Sequence, residues 1–281
     1  MRQVLGVVSS LDNSPTPSRL ESDRTIYLSL AELGHRYAVG ASDRVGSLTQ
    51  FELRCFSQNG EDGVIAEILS RTGLLTSFFV EFGVESGREG NCVFLADVLG
   101  WKGLFIEADE VSYTALNRKY IEGGRVRTIN SAVTPNNVED LFASAEVPPD
   151  FDLLSIDVDG ADYWIREALQ AYRPRVVVIE YNAALGSRAA LVQPRGHDQA
   201  WDGTDYFGAS LGALCVLAER KGYQLVHTDL AAINAFFVRA DLTGDRFPTA
   251  GEVPRRQDPN YFLQGYRHPQ DPTHRQYFTV T

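Results

Sequence analysis

The sequence predicts an α/β fold: a doubly wound, seven-stranded sheet with an antiparallel last strand, plus an N-terminal helical extension. From Phe56 onward, short apolar runs alternate with stretches of helical period, which is typical of βαβ units and a parallel sheet. Only a few residues separate the last two apolar runs, so these form an antiparallel hairpin at one edge. The 281 residues suffice for one large domain that needs no disulfide or structural metal. We therefore expect a Rossmann-like fold.

The apolar runs define the strands, and the stretches between them define the helices. The predicted strands are 78–82, 103–106, 126–129, 151–156, 176–179, 224–226 and 235–238. The predicted helices are 25–37, 61–71, 90–99, 110–119, 137–144, 162–171 and 209–221. Residues 9–24 are rich in Ser, Pro and charged residues, which predicts a mobile arm.

This pattern divides the chain into three parts. Residues 1–50 form the arm and helical extension, residues 51–242 form the central domain, and residues 243–281 form a C-terminal tail. The tail packs either on the central domain or on a partner subunit. The sequence therefore does not decide between a monomer and a homo-oligomer.

The charge balance excludes two classes of partner. The chain carries 26 Lys and Arg residues against 37 Asp and Glu residues, a net charge of -11. Such a chain repels phosphate backbones and anionic lipids, so we expect neither a nucleic-acid nor a membrane partner. The N-terminal apolar run is too short for a signal sequence, and the three cysteines lack metal-binding spacing. Reduced thiols and no leader predict a cytoplasmic protein.

Polar or acidic residues end five predicted strands: Glu81, Glu107, Asn130, Asp157 and Glu180. The carboxyl ends of parallel strands share one edge, where ligands bind in open α/β sheets. Any one of these residues could simply cap a helix. Five in series favour a ligand cleft.

The turn after the first strand favours one kind of ligand. Gly83 and Gly87 allow a sharp turn and a close approach of a ligand to the backbone. The stretch has neither the glycine spacing of dinucleotide proteins nor a P-loop, so no diphosphate cradle is indicated. A nucleoside with an amino-acid tail fits better, with Glu81 or Glu85 near its cationic amine.

The next two strand ends extend this reading. Glu107 can accept both hydroxyls of a ribose. Asn130, Ser131 and Ala132 can border an adenine edge.

Together these residues resemble a class I S-adenosylmethionine (SAM)-dependent methyltransferase, and two further stretches narrow the resemblance to the FkbM type. They are FSQNGEDG at 56–63 and INAFFV at 233–238, and the resemblance covers residues 55–242. It implies that the glycine loop holds the methionine part of the cofactor, the second strand end holds the ribose, and the third meets the adenine. By position the residues are Glu81, Gly83, Glu85 and Gly87, then Glu107, then Asn130, Ser131 and Ala132.

The fourth and fifth strand ends predict the reaction centre. Asp157, Asp159, Glu180 and Asn182 offer hard oxygen ligands for Mg²⁺ or another divalent cation. Metal-dependent O-methyltransferases of related fold use a similar layout. The same acids could instead form a capped turn or act as acid and base, and both interpretations stay open.

Methyl transfer to an alcohol needs alignment and deprotonation. Asp157 and Glu180 are the acidic candidates, and His227, at the end of the sixth strand, is a candidate base. His197 lies in the long connection over 183–208. Either histidine could equally be a packing residue.

We expect O-methylation of a small hydroxylated acceptor, a sugar unit or a secondary metabolite. The connection over 183–208 forms either a lid or acceptor wall or an ordinary surface flap packed on the sheet. The N-terminal arm and the aromatic tail residues either complete this wall or make a dimer contact. Two alternatives remain: a metal-assisted enzyme that keeps the cofactor but performs non-methyl chemistry, and a non-catalytic binding protein that retains the fold.

Overall fold

The computed structural model describes residues 17–39, 45–196, 201–256 and 267–281. Its strands are β1 (Phe78–Phe82), β2 (Lys102–Glu107), β3 (Val126–Asn130), β4 (Leu153–Ile156), β5 (Val176–Glu180), β6 (Leu191–Val192), β7 (Tyr223–Thr228), β8 (Asn234–Arg239) and β9 (Phe278–Thr279). Seven of them form one sheet in the order β3-β2-β1-β4-β5-β8-β7. Strands β1 to β5 are parallel, and β8 runs antiparallel between β5 and β7. The predicted fold class is confirmed.

Helices connect the strands. They are α1 (Pro17–Val39), α2 (Glu61–Thr72), α3 (Val93–Asp97), α4 (Glu110–Tyr120), α5 (Val138–Ser144), α6 (Asp162–Ala168) and α7 (Leu211–Arg220). Short polar side chains fix two of the helix starts, because Asp109 accepts the Ser112 N–H and Ser210 accepts the Ala213 N–H. Within the described ranges, no helix has the length and apolar character of a membrane span.

The sheet is buried on both faces. On one face Val80 and Leu104 pack into a core with the helices on that side, and on the other face Phe79 and Phe105 do the same. The alternation follows from the two-residue period of a strand. Because both faces of the sheet are buried, polar groups are left to the ends of the strands.

The N-terminal extension is more helical than predicted. A mobile arm over 9–24 is wrong from residue 17 onward, since α1 begins at Pro17, where a proline fits the first helical turn. The remainder of the predicted arm lies outside the described residues. Leu30 and Leu33 are buried, and Arg36 donates to the Phe51 carbonyl, which holds α1 against the segment before α2.

A second, two-stranded sheet was not predicted. Strand β9 in the C-terminal tail pairs antiparallel with β6, which lies in the long connection after β5. Each strand has only two residues, too few for a periodic signal. The tail thus packs on the connection that borders the ligand edge.

Candidate functional site

A cavity of about 900 Å³ opens at the carboxyl ends of β1, β2, β4 and β5. This volume lies within the roughly 300–1,000 Å³ of small-molecule sites. Nine of its lining residues are carboxylic acids, and none of the described lining residues is Lys, Arg or His. The acids are Glu61, Glu81, Glu85, Glu89, Glu107, Asp109, Asp157, Asp159 and Glu180. The cavity therefore favours a ligand with positive charge.

The turn after β1 brings the backbone of two strands together. Gly83 has φ +69°, and a Cβ there would lie 1.9 Å from the Asp157 carbonyl oxygen. Only glycine allows this approach and this backbone conformation together. Gly83 is therefore the residue that lets the turn after β1 approach the Asp157 carbonyl.

Glu81 organises the loop between β1 and α3. Its carboxylate accepts the N–H groups of Asn91 and Cys92 at 2.7 and 3.0 Å. Burial raises the pKa of Glu81 to about 7. The helix that we expected from residue 90 begins only at Val93. The Asn91 side chain does not cap this helix but donates to Ser155 Oγ. Glu81 takes over the free N–H groups at the start of α3.

Glu107 holds the opposite wall. One carboxylate oxygen accepts the Glu85 N–H at 2.7 Å and the other accepts the Asp109 N–H at 2.8 Å. Glu85 adopts φ +50°, a conformation that non-glycine residues rarely occupy. Strained residues of this kind occur often at ligand sites.

A triad of acids stands at the β4 and β5 ends. Asp157, Asp159 and Glu180 each place one carboxylate oxygen within 4.8 Å of the others. Burial, followed by repulsion from neighbouring carboxylates, raises the pKa of Asp157 and of Glu180 well above their usual values. Asp162 accepts the N–H groups of Val158 and Gly160 and so fixes the loop that carries two members of the triad.

Four predicted site residues do not line the cavity. Gly87 packs against Leu116, and the Asn130 amide donates to the carbonyls of Glu107 and Ala108. The Asn182 side chain hydrogen-bonds to the backbone of Ala184, Asp205 and Phe207. The four are Gly87, Asn130, Asn182 and His227. Ser131 and Ala132 do line it.

His227 is the clearest of these departures. It is 1% exposed, and its Nε2 lies 3.0 Å from Glu52 Oε1. The ring also packs on Phe236. The Glu52 carboxylate accepts the Leu230 N–H as well, so the histidine belongs to a link between the N-terminal segment and the β7–β8 turn. The predicted His197 lies outside the described residues.

The cavity has further walls to which the sequence assigned no role. Gln58, Glu61 and Asn234 line it, and Asn234 Nδ2 donates to Glu61 Oε1 at 2.8 Å. Both stretches were noticed in the sequence, at 56–63 and 233–238. The contact between Glu61 and Asn234 was not predicted, because the two residues are 173 positions apart in the sequence.

An aromatic cluster borders the acid triad. Trp201 lines the cavity, and its ring lies 4.7 Å from that of His268 and 6.1 Å from that of Phe207. His268 is close enough to Asp159 for the two to interact electrostatically. Among the described residues of the long connection, Trp201 lines the cavity, and its role as an acceptor wall stays a prediction.

Comparisons with known proteins give weak likenesses. No family profile and no curated protein matches the chain. Among solved structures, the chain is similar to a caffeoyl-CoA O-methyltransferase assigned in Staphylococcus aureus, with 14% identity over 62% of this chain and 79% of that one and a TM-score of 0.40. A SAM-dependent methyltransferase from Aquifex aeolicus has 13% identity over 62% and 89% of the two chains and a TM-score of 0.36.

The N-terminal domain of EvdMO1 with SAH bound has 14% identity over 57% of this chain and 72% of that one, with a TM-score of 0.38. Likenesses of this strength concern the fold alone. The strand order of the sheet, observed directly, is what assigns the Rossmann-like fold with an antiparallel last strand.

Proposed function

We propose that this protein is a SAM-dependent methyltransferase that methylates a hydroxyl group of a small acceptor. One observation carries the proposal: the turn after β1 and the carboxylate that ends β2 face one cavity, and that cavity is lined by acids without a basic residue in the described part of the chain. A ligand with a sulfonium and an ammonium group offsets this excess of negative charge.

The residues fit the cofactor part by part. Glu107 uses one lone pair of each carboxylate oxygen for a backbone N–H, which leaves acceptor capacity for ribose hydroxyls. Glu81 and Glu85 supply negative charge near the methionine part, and Ser131 and Ala132 border the adenine. Gly83 keeps the floor of the cavity free of side-chain atoms.

The acid triad supplies the reaction chemistry. Bound SAM contributes an electrophilic methyl group. Asp157 or Glu180 then accepts the proton of the acceptor hydroxyl, because a carboxylate in a site that raises its pKa is a stronger base. The cavity walls align the acceptor for an in-line displacement. We leave His227 out of this scheme, since it does not line the cavity.

The FkbM-type assignment is part of the proposal. It is supported by the contact between Glu61 and Asn234, which joins the two stretches that carry the resemblance at the cavity wall.

Calorimetry with S-adenosylhomocysteine (SAH) tests the proposal. We expect micromolar to millimolar binding that Glu107→Ala weakens roughly 10- to 100-fold, in line with about 1.5–3 kcal/mol for hydrogen bonds to a charged group. Glu110→Ala is the matched control, because Glu110 lies three residues along the chain and is exposed in the first turn of α4. Absence of SAH binding, or equal losses in the two variants, contradicts the proposal.

A divalent cation at the acid triad is a second candidate feature. The three oxygens lie within 4.8 Å of one another, and hard carboxylate donors suit Mg²⁺ or Mn²⁺. Asp157, Asp159 and Glu180 would hold the ion, which would act as a Lewis acid on an acceptor oxygen. We do not include Asn182 among these ligands, because its Oδ1 accepts the Ala184 N–H and its amide donates to the Asp205 carbonyl.

Titration with Mn²⁺, followed by electron paramagnetic resonance, separates the two roles of the triad. If a metal is held, Asp157→Asn and Glu180→Gln both abolish the bound-ion signal. If turnover persists in chelator and the product gains one methylene unit in mass, the acids act without metal. A product without that gain favours non-methyl chemistry.

A further inference from the structure

The acceptor end of the cavity combines two features that together select a chemical class. The first is charge: the acid triad stands here, and no described lining residue is basic. An acceptor with a phosphate or a free carboxylate would meet repulsion from the acid triad, and no described lining residue supplies a positive charge to offset it. Neutral and cationic acceptors remain.

The second feature is the aromatic cluster of Trp201, Phe207 and His268. The ring of His268 meets Trp201 at an interplanar angle of 87° and Phe207 at 70°, so the cluster has edge-to-face packing. Trp201 is 37% exposed although it lines a cavity. An aromatic ring and a carboxylate that line the same cavity are a setting for cation–π contacts.

The wall is fixed by the tail. The Trp201 indole N–H donates to the Thr204 carbonyl at 2.7 Å, and Arg275 binds Asp202 at 2.6 Å. The Asp205 N–H donates to the Pro269 carbonyl at 2.9 Å. Arg275 also lies over the ring of Tyr206, 4.2 Å from its centroid. These contacts hold the aromatic cluster in place.

We propose that the acceptor is a cation: a hydroxylated compound whose protonated amino group lies between Asp159 and the ring of Trp201, with its hydroxyl toward Asp157 and Glu180. The proposal rests on the proposed function, because it assigns the acceptor side of the same cavity. It names the acceptor class, a polyhydroxylated amine, and it excludes phosphorylated and carboxylated acceptors.

A matched set of sugars tests this class. SAH-saturated protein is titrated with glucosamine, N-acetylglucosamine and glucosamine 6-phosphate in the presence of EDTA. We expect glucosamine to bind at least tenfold more tightly than its N-acetyl derivative, which has no charge. The phosphate should bind more weakly than glucosamine. An N-acetyl or phosphorylated sugar that binds as well as glucosamine overturns the proposal, as does the absence of glucosamine binding. Glucosamine binding that needs added Mg²⁺ also overturns it, since the cation at the triad is then a metal.

Two variants locate the amine. Asp159→Asn and Trp201→Leu should each remove most of the preference for glucosamine and leave SAH affinity within about twofold. Asp140→Asn, which removes one charge from the exposed first turn of α5, should change neither quantity. If Asp159→Asn keeps the preference intact, the amine is not at this subsite. SAH binding is measured in every titration, so failure of the cofactor assignment is distinguished from failure of the acceptor assignment.

Discussion

The carboxylates at the strand ends are held in place by hydrogen bonds from backbone N–H groups. Glu81 and Glu107 each accept two backbone N–H groups, and each still faces the cavity. A carboxylate held in this way keeps its position when a ligand arrives, so little ordering remains to be done on binding. Gly83 also acts through the backbone, because its lack of a side chain lets the ends of β1 and β4 approach each other.

At the residue scale we predict that Gly83→Ala is far more costly than Gly222→Ala. Both glycines have positive φ, +69° and +77°, so the backbone strain is shared. Only at Gly83 would the new Cβ overlap the Asp157 carbonyl, whereas nothing lies within 4 Å at Gly222. We expect Gly83→Ala to lose about 1–3 kcal/mol more unfolding free energy than Gly222→Ala, measured by urea denaturation. Equal losses would show that β1 and β4 do not approach as closely as described.

Single elements are joined by buried acids rather than by apolar contacts alone. One carboxylate oxygen of Asp62 in α2 accepts the N–H groups of Cys55, Phe56 and Ser57. These contacts dock the segment that leads to the cavity-lining Gln58. Asp152 does the same before β1, where it accepts the N–H groups of Leu75, Thr76 and Ser77.

At the element scale we predict that Asp62→Ala detaches the 55–58 segment. Three N–H groups lose their acceptor, and hydrogen bonds to a charged group contribute about 1.5–3 kcal/mol each in favourable cases. We expect a loss of at least about 2 kcal/mol of unfolding free energy and faster hydrogen exchange at residues 55–57. Asp140→Ala, an exposed acid in the first turn of α5, serves as the control. Asp62→Asn, which keeps one acceptor oxygen, should recover much of the loss; unchanged exchange in Asp62→Ala would refute the docking role.

The molecule as a whole carries an excess of buried acid around one cavity. Burial raises the pKa of Asp62 to about 6, that of Glu81 to about 7 and that of Asp229 to about 8. Each group therefore binds its proton more tightly in the folded than in the unfolded chain. The stability that these groups contribute is present below their unfolded pKa values and is lost as the pH rises through the folded ones.

At the scale of the whole molecule we predict that the stability of the free protein depends on pH and that SAH binding is coupled to proton release. For the free protein, the contribution of these acids to the melting temperature should fall between about pH 4 and pH 8. Glu81→Gln should flatten this slope, whereas Glu110→Gln should leave it unchanged. SAH binding near pH 6.5 should release protons, because a nearby ammonium group lowers the pKa of Glu81. Calorimetry in buffers of different ionisation enthalpy measures that release; proton uptake instead would contradict the placement of the ligand amine.

The features that could be predicted from the sequence are those set by residues close together along the chain. Apolar runs such as Val176–Ile179 and the acids that follow them locate the sheet, its edge and most of the cavity, since strand period and strand end are local properties. Contacts such as His227 with Glu52 and Asn234 with Glu61 join residues more than 170 positions apart. Strand position alone placed His227 at the ligand edge, but the choice of its neighbour is made by tertiary packing. The neighbours of Asn182 are likewise set by tertiary packing, because its amide donates to the backbone carbonyls of Asp205 and Phe207.

The pairing of β9 with β6 bears on how the protein is made. When the ribosome has released everything through β8, all seven strands of the main sheet are available. The aromatic wall still lacks Arg275, Asp271 and the β9 strand that brace it. A chain that stops between β8 and β9 should therefore keep all strands of the main sheet but lack the contacts that brace the aromatic wall.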